Sequence, residues 1–223
     1  GPAEIREALA GCVAVMHFAG KSLLGDSVAN PDLYWSVNVG GTRNLLDEMA
    51  AASISKIVFS SSAATYGEPS ILPILETSPT YPTNPYGATK LAIDEMISLA
   101  AQKSGLAGTS LRYFNVAGAL ESDRGWLAER HSPETHLIPI VLRSSDANPV
   151  KIFGTDWPTA DGTCIRDYVH VVDLRDAHIK PLKSIVPVQH PIFNLGKGTV
   201  YSFRTVTNSG SAAGGATVPS IDS

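Results

Sequence analysis

Cysteine is nearly missing from this chain: among 223 residues only Cys12 and Cys164 occur, far apart and without C-x-x-C spacing. That speaks against a zinc site and a disulfide framework, so no metal is expected, and it fits a reducing cytoplasm. Long apolar runs are absent too. None approaches the ~18 residues that cross a bilayer, and the opening GPAEIREALAG lacks the apolar centre of a signal peptide. Nor is there a basic block. With 17 lysines and arginines against 21 acidic residues the net charge is −4, which argues against a nucleic acid or an anionic membrane as partner. No internal repeat is found. Finally, no G-x-G-x-x-G or G-x-x-G-x-x-G stands between a strand and a helix. That turn lets backbone approach a pyrophosphate closely, and Gly40-Gly41 lies inside a helical pattern instead.

What is present reads as an α/β chain. Apolar residues make up 43% and charged residues 17%, as in ordinary globular enzymes. The run VAVMHFA over 13–19 predicts a buried strand, and apolar spacing from Pro31 to Ala52 predicts a helix. KIVFS over 56–60 predicts a second strand, followed by a loop of small hydroxyl residues. Residues 85–103 repeat the helical signal, and TSLRYF over 109–114 gives a third strand. Alternation of near-continuous apolar strands with helices implies a parallel sheet covered on both faces.

Beyond Gly118 the pattern loosens. Residues 119–136 read as a polar loop, 137–145 as a helix, 150–153 as a strand and 154–164 as a loop. Residues 168–172 read as a strand, Asp173 as the N-cap of a helix to about Lys183, and 191–195 as a last strand. Three segments follow: 1–118, the later part of a nucleotide-binding domain; 119–207, a partial substrate region interleaved with it; and 208–223, a small-residue tail expected to lack structure.

Chemistry concentrates in two stretches. Ser60-Ser61-Ser62 ends a predicted parallel strand, where α/β sheets bind ligands. The next helix carries Tyr86 and Lys90, whose i, i+4 spacing puts them on one face. A lysine beside a phenol favours phenolate and lowers the tyrosine pKa. With a serine hydroxyl to hold an oxygen, such a trio can move the proton of an alcohol undergoing oxidation, given a hydride acceptor. The bland readings are a solvated serine turn and an ordinary helix surface.

SSSAATYG followed by NPYGATK resembles the extended short-chain dehydrogenase/reductase superfamily. HFAGKS at 17–22, NVGGT at 38–42, RYFNVAGA at 112–119 and DGTCIRDYVHV at 161–171 narrow the resemblance to the UDP-glucose 4-epimerase family. The match runs in order from about residue 13 to 200.

The resemblance implies a Rossmann-like, doubly wound parallel sheet, here incomplete, with part of a smaller substrate-binding lobe. It implies NAD as cofactor and a UDP-sugar as substrate, interconverted between UDP-galactose and UDP-glucose through a 4-keto intermediate. Tyr86 would be the acid/base, Lys90 the nicotinamide-ribose contact, and Ser62 the hydrogen-bond partner of the reacting oxygen. Phe18, Ala19, Gly20, Lys21, Asn38 and Phe114 match cofactor contacts. Asn115, His136, Leu137, Ile152, Phe153 and Arg166 match substrate contacts, Arg166 at the diphosphate, although His136 stands where some members carry asparagine. Family dehydratases carry Asp-Glu after the loop Ser/Thr; Ala63-Ala64 stand here, and alanine moves no proton. Family members are often dimers, so a homodimer is implied.

Alternatives stay open. Another UDP-sugar, N-acetylated or pentose, would suit the same chemistry. The chain starts after the family's glycine-rich unit and lacks much of the C-terminal lobe, so an NAD-binding-impaired remnant with exposed sheet edges is the other expectation. Five further side chains receive structural expectations: His17 a hydrogen-bonded strand end, His170 a packed strand histidine, Asp94-Glu95 a solvated face, and Trp157 a loop anchor.

Overall fold

A computed structural model describes residues 1–214 and 217–222. The chain divides into two units: residues 1–114 with 174–195, and residues 115–173 with 196–223.

The first unit is built on four parallel strands in the order β1-β2-β3-β9, namely Val15–His17, Lys56–Ser62, Ala107–Tyr113 and Ile192–Leu195. Strand β2 is central and longer than its apolar pattern suggested. Ser60, Ser61 and Ser62 continue the ladder, pairing with Leu111, Arg112 and Tyr113, because backbone pairing does not require apolar side chains. Helices α1 (Pro2–Leu9) and α2 (Leu24–Ala29) flank β1 in sequence. The predicted helix after Pro31 is continuous, but in three parts: α3 (Pro31–Tyr34), a π-helical segment Trp35–Gly40, and α4 (Gly41–Ala51). A π segment inside a helix changes which side chains face inward, and here it buries Asn38. A 3₁₀ turn, Ala63–Tyr66, follows β2.

Helix α5 (Pro85–Ser104) starts with a cap that the sequence supplies directly. Asn84 Oδ1 accepts the Gly87 N–H at 2.8 Å, and Pro85 sits where a helix needs no donor. Gly105, in the left-handed region, ends it. Ile93, Ile97 and Ala101 of α5 join Leu9, Met49, Ile57 and Phe59 in one buried cluster. Strand alternation therefore turns Ile57, Phe59 and Ser61 toward α5. Ser60 points the other way, to Tyr113, which packs on His178 of α7 (Val171–Ser184). The sheet is covered on both faces, as a doubly wound fold requires. Helix α7 begins two residues before the expected cap, so Asp173 lies in its first turn, not at its N-cap.

The second unit holds β4 (Asn115–Ala117), the hairpin β5 (Leu120–Ser122) and β6 (Gly125–Leu127), α6 (Leu137–Arg143), β7 (Val150–Ile152), β8 (Ile165–His170), β10 (Val200–Ser202), α8 (Phe203–Gly214) and β11 (Ser220–Asp222). Strand β8 pairs parallel with β4 and antiparallel with β10, and β11 pairs parallel with β7.

The tail expected to be loose from Asn208 is a correction. Helix α8 runs to Gly214, with Ser209 and Ser211 hydroxyls donating to Thr205 and Thr207 carbonyls. Gly210 lies so close to α6 that a Cβ would meet Val141 Cγ1 at 2.3 Å. Close approach of small residues replaces the apolar stripe that periodicity looks for. The expectation for residues 215, 216 and 223 lies outside the described residues.

Candidate active site

At the carboxyl end of β2 the chain turns through Ala63–Tyr66, and Ser62 opens that turn. Ser62 Oγ accepts the Ala64 N–H at 3.1 Å. Its own O–H is thereby left to donate, and Tyr86 is the neighbour whose phenol pKa it lowers. The two residues meet because α5 begins against this turn. Gly87 is the reason: a Cβ there would stand 2.4 Å from the Ala64 carbonyl oxygen. Sequence reasoning did not weigh Gly87, although the N-P-Y-G signal contains it.

Tyr86 is buried, 9% exposed. Burial pushes its phenol up to about 12; the neighbouring Tyr113 adds to the rise and the Ser62 hydrogen bond opposes it. The expected lowering by Lys90 is a correction: Lys90 is not among the influences on this phenol, and desolvation raises it. Lys90 lies one helical turn on, with Nζ 5.7 Å from the centre of the Tyr86 ring and 4.8 Å from that of Phe59. Its ammonium donates to the Ser60 carbonyl at 2.7 Å. Burial pulls Lys90 down to about 8, against an opposing pull from Asp94.

A polar layer beneath these residues went largely unread in the sequence. Asp94, expected on a solvated face, is 2% exposed and pairs with Arg112, which is 3% exposed. Burial raises the Asp94 carboxyl, while Ser110, Arg112 and Ser61 oppose the rise. Glu95, its neighbour, is exposed as expected. Ser60 is hydrogen-bonded to Tyr113, whose phenol burial raises.

The expected cofactor residues gather after β1. Phe18, Ala19 and Gly20 are exposed, and the Phe18 ring lies 4.7 Å from that of His178. Asn38 clasps the turn: its Oδ1 accepts from Lys21 N at 2.8 Å, and its Nδ2 donates to Lys21 O and Thr89 Oγ1, each at 3.1 Å. A Cβ at Gly20 would come within 3.0 Å of Asn38 Oδ1. Asn38 thus shapes the turn through its side chain. Lys21 pairs with Asp26 at 3.4 Å. Phe114 follows β3, half-buried, with its N–H on the Leu195 carbonyl. His17 is the structural residue anticipated. It is buried, bonded to Thr42 Oγ1 at 2.7 Å, and pulled down to about 4 by burial and by the Lys90 charge.

The expected substrate residues belong to the second unit. Asn115 Nδ2 donates to the Asp167 carbonyl at 3.2 Å. Arg166 is exposed on β8 and donates to the Ile165 carbonyl at 2.8 Å. Leu137 opens α6 half-buried, Ile152 is buried, and Phe153 is 71% exposed. His136 is exposed beside Glu134 and Glu129. His170 departs from expectation: it is exposed, with Nδ1 accepting the Val172 N–H at 3.2 Å. Trp157 is 50% exposed, its ring nitrogen 3.4 Å from the Phe153 carbonyl.

Known proteins resemble this chain in sequence and in fold. The model of the NAD dependent epimerase/dehydratase family matches residues 1–196. A UDP-glucose 4-epimerase of Corynebacterium glutamicum is 52% identical over 198 residues, 88% of this chain and 59% of its own length. One from Streptomyces lividans is 47% identical over 209 residues, 93% of this chain and 62% of its own. The crystal structure of UDP-glucose 4-epimerase from Brucella ovis in complex with NAD superposes with a TM-score of 0.93 at 41% identity, covering 99% of this chain and 69% of that one. The chain thus spans about 60% of the length of these curated relatives. It belongs to the NAD dependent epimerase/dehydratase family.

Proposed function

We propose that this member of the NAD dependent epimerase/dehydratase family interconverts UDP-galactose and UDP-glucose. The observation that carries the reading is the trio at the end of β2: Ser62 lowers the phenol pKa of Tyr86, and the Lys90 ammonium lies 5.7 Å from its ring. The names of the relatives support the substrate.

The residues present fit NAD. The turn at Phe18–Lys21 approaches Asn38 so closely that a Cβ at Gly20 would crowd it, as suits backbone facing a cofactor. Among the described residues the Lys90 ammonium has one hydrogen-bond acceptor, Ser60 O, leaving two donors for ribose hydroxyls. Phe18 and Phe114 would flank the cofactor. When bound, oxidised NAD supplies the hydride acceptor and a positive charge that favours the Tyr86 phenolate.

In this mechanism Tyr86 Oη takes the proton of the sugar 4-hydroxyl as C4 is oxidised. The single O–H of Ser62 donates to the reacting 4-oxygen and holds it against Tyr86. Lys90, protonated, is left to the ribose hydroxyls, while burial holds the Tyr86 phenol near 12. After the keto sugar presents its other face, Tyr86 returns the proton. Ala63 and Ala64 offer no second acid or base, so elimination has no proton carrier. Arg166 takes the diphosphate with its fork of donors, and Asn115, His136, Leu137, Ile152 and Phe153 take the rest of the UDP-sugar. The same reading places the reaction in galactose metabolism, in the cytoplasm and in a homodimer.

The test is conversion of UDP-galactose to UDP-glucose with added NAD, comparing the chain with Tyr86→Phe. Turnover that falls at least ~100-fold in the variant supports the role of Tyr86; equal turnover overturns it.

A further inference from the structure

One cluster of side chains is drawn on by that chemistry only through His136. In the segment entering α6, Glu129, His131, Glu134 and His136 bring one ligand atom each to within 4.8 Å of one another. We propose that these four side chains form a binding site for a divalent transition cation of the zinc class.

The arrangement argues for it in three ways. The donors suit a borderline cation: two imidazole nitrogens and two carboxylates make a common ligand set for zinc, whereas magnesium prefers an all-oxygen octahedron. The electrostatics call for a cation. Two carboxylates converge here, and Glu129 Oε1 contacts Nδ1 of both His131 and His136. With neutral imidazoles the cluster carries two negative charges that a divalent ion would neutralise.

The third argument is Glu134. Its side chain is only 9% exposed. Oε1 accepts from the N–H groups of Thr135 and His136 at 2.9 and 3.0 Å and meets His136 Nδ1 at 3.1 Å. Oε2 is buried and has no hydrogen-bond partner among the described residues. A desolvated carboxylate oxygen without a donor is costly, and a cation held at this carboxylate would offset that cost. The ligands lie within residues 129–136, so few residues must be ordered to assemble them. Closing from 4.8 Å to the roughly 3.3 Å between ligands of a tetrahedral zinc asks for side-chain rotation in three exposed residues. The absence of a metal site inferred from cysteine spacing did not weigh these histidines and carboxylates.

Because His136 is also assigned to the UDP-sugar, the test is made on metal binding itself. The tag-free full chain, stripped with chelator, is titrated calorimetrically with zinc chloride and, separately, magnesium chloride. Cobalt absorption reports tetrahedral coordination. We expect a single equivalent of zinc, no comparable magnesium binding, and a cobalt spectrum of tetrahedral type. Glu129→Gln and His131→Gln, both at exposed positions, should each weaken zinc binding by about tenfold or more with unchanged circular dichroism. Saturable zinc binding that both variants retain at full strength, magnesium binding as tight as zinc, or no saturable zinc binding would each overturn the proposal.

Discussion

Arg112 of β3 and Asp94 of α5 form a buried ion pair, Nη2 to Oδ2 at 2.9 Å, under the helix that carries Tyr86 and Lys90. Ser61 Oγ donates to the same carboxylate oxygen at 3.1 Å, and the Arg112 guanidinium lies 4.8 Å from the centre of the Tyr66 ring. Charge, hydroxyl and ring thus tie α5 to β2, to β3 and to the turn after β2. A buried pair is not a large net gain in stability, but breaking one partner leaves a charge without compensation.

Asp94→Ala should therefore destabilise the fold by about 3–5 kcal/mol, while Asp94→Leu with Arg112→Met should recover most of that loss. Urea unfolding of the two variants checks this. A double variant no more stable than the single would show that the pair is needed for more than mutual neutralisation.

Lys90 gives a pH-dependent prediction. Its folded pKa is about 8, below the ~10.4 of a free lysine. Between those values the unfolded chain keeps a proton that the folded chain has shed, so stability rises with pH there by about 1.4 kcal/mol per unit. Lys90→Met should abolish that rise, keep or raise the melting temperature at pH 7, and lower turnover at least ~100-fold. Thermal melts from pH 7 to 10 settle it. A variant melting well below the wild type at pH 7 would contradict the assignment of Lys90 as a buried, strained charge.

His17 acts on the acid side. It is pulled down to about 4, so between the ~6.5 of a free imidazole and that value the unfolded chain binds a proton that the folded chain does not. Stability present above pH 6.5 is lost as pH falls toward 4, by about 1.4 kcal/mol per unit from this group alone. His17→Gln can still hydrogen-bond Thr42 and cannot titrate. It should flatten that slope in unfolding measured from pH 7 to 4; an unchanged slope would assign the acid sensitivity elsewhere.

Gly87→Ala tests the approach of α5 to the turn after Ser62. The added methyl would sit 2.4 Å from the Ala64 carbonyl oxygen, so the helix start must shift. Turnover should fall by about 100-fold or more, since misplacement of an acid/base by an ångström has that effect. Circular dichroism should stay near that of the wild type. Activity within twofold of the wild type would mean that the close approach does not set the Ser62–Tyr86 geometry.

The order of elements in the first unit was legible because strand and helix periods differ and the caps are local. Asn84, Pro85 and Gly105 mark the ends of α5 without any tertiary contact. Tyr86 and Lys90 were legible for the same reason, since i, i+4 spacing fixes a shared face. Helix α8 was not, because it starts at Phe203, ahead of the small-residue run that begins at Asn208, and its contact with α6 runs through Gly210. Asp94 and His170 were misread in opposite directions. Polarity predicts exposure for Asp94, whose buried partners Arg112 and Ser61 come from β3 and β2. Strand alternation predicts burial for His170, which instead stays exposed and accepts from the nearby Val172 N–H.

By itself the sequence determined the parallel α/β architecture and the pairing of a tyrosine with a lysine, because both follow from spacing along one element. Only the tertiary structure decided the electrostatics of that pair. Burial raises Tyr86 and lowers Lys90, and burial depends on strands and helices distant in sequence. Likewise Asp94 and Arg112, and the carboxylates and imidazoles of 129–136, acquire meaning only when folding sets how far apart their charges stand.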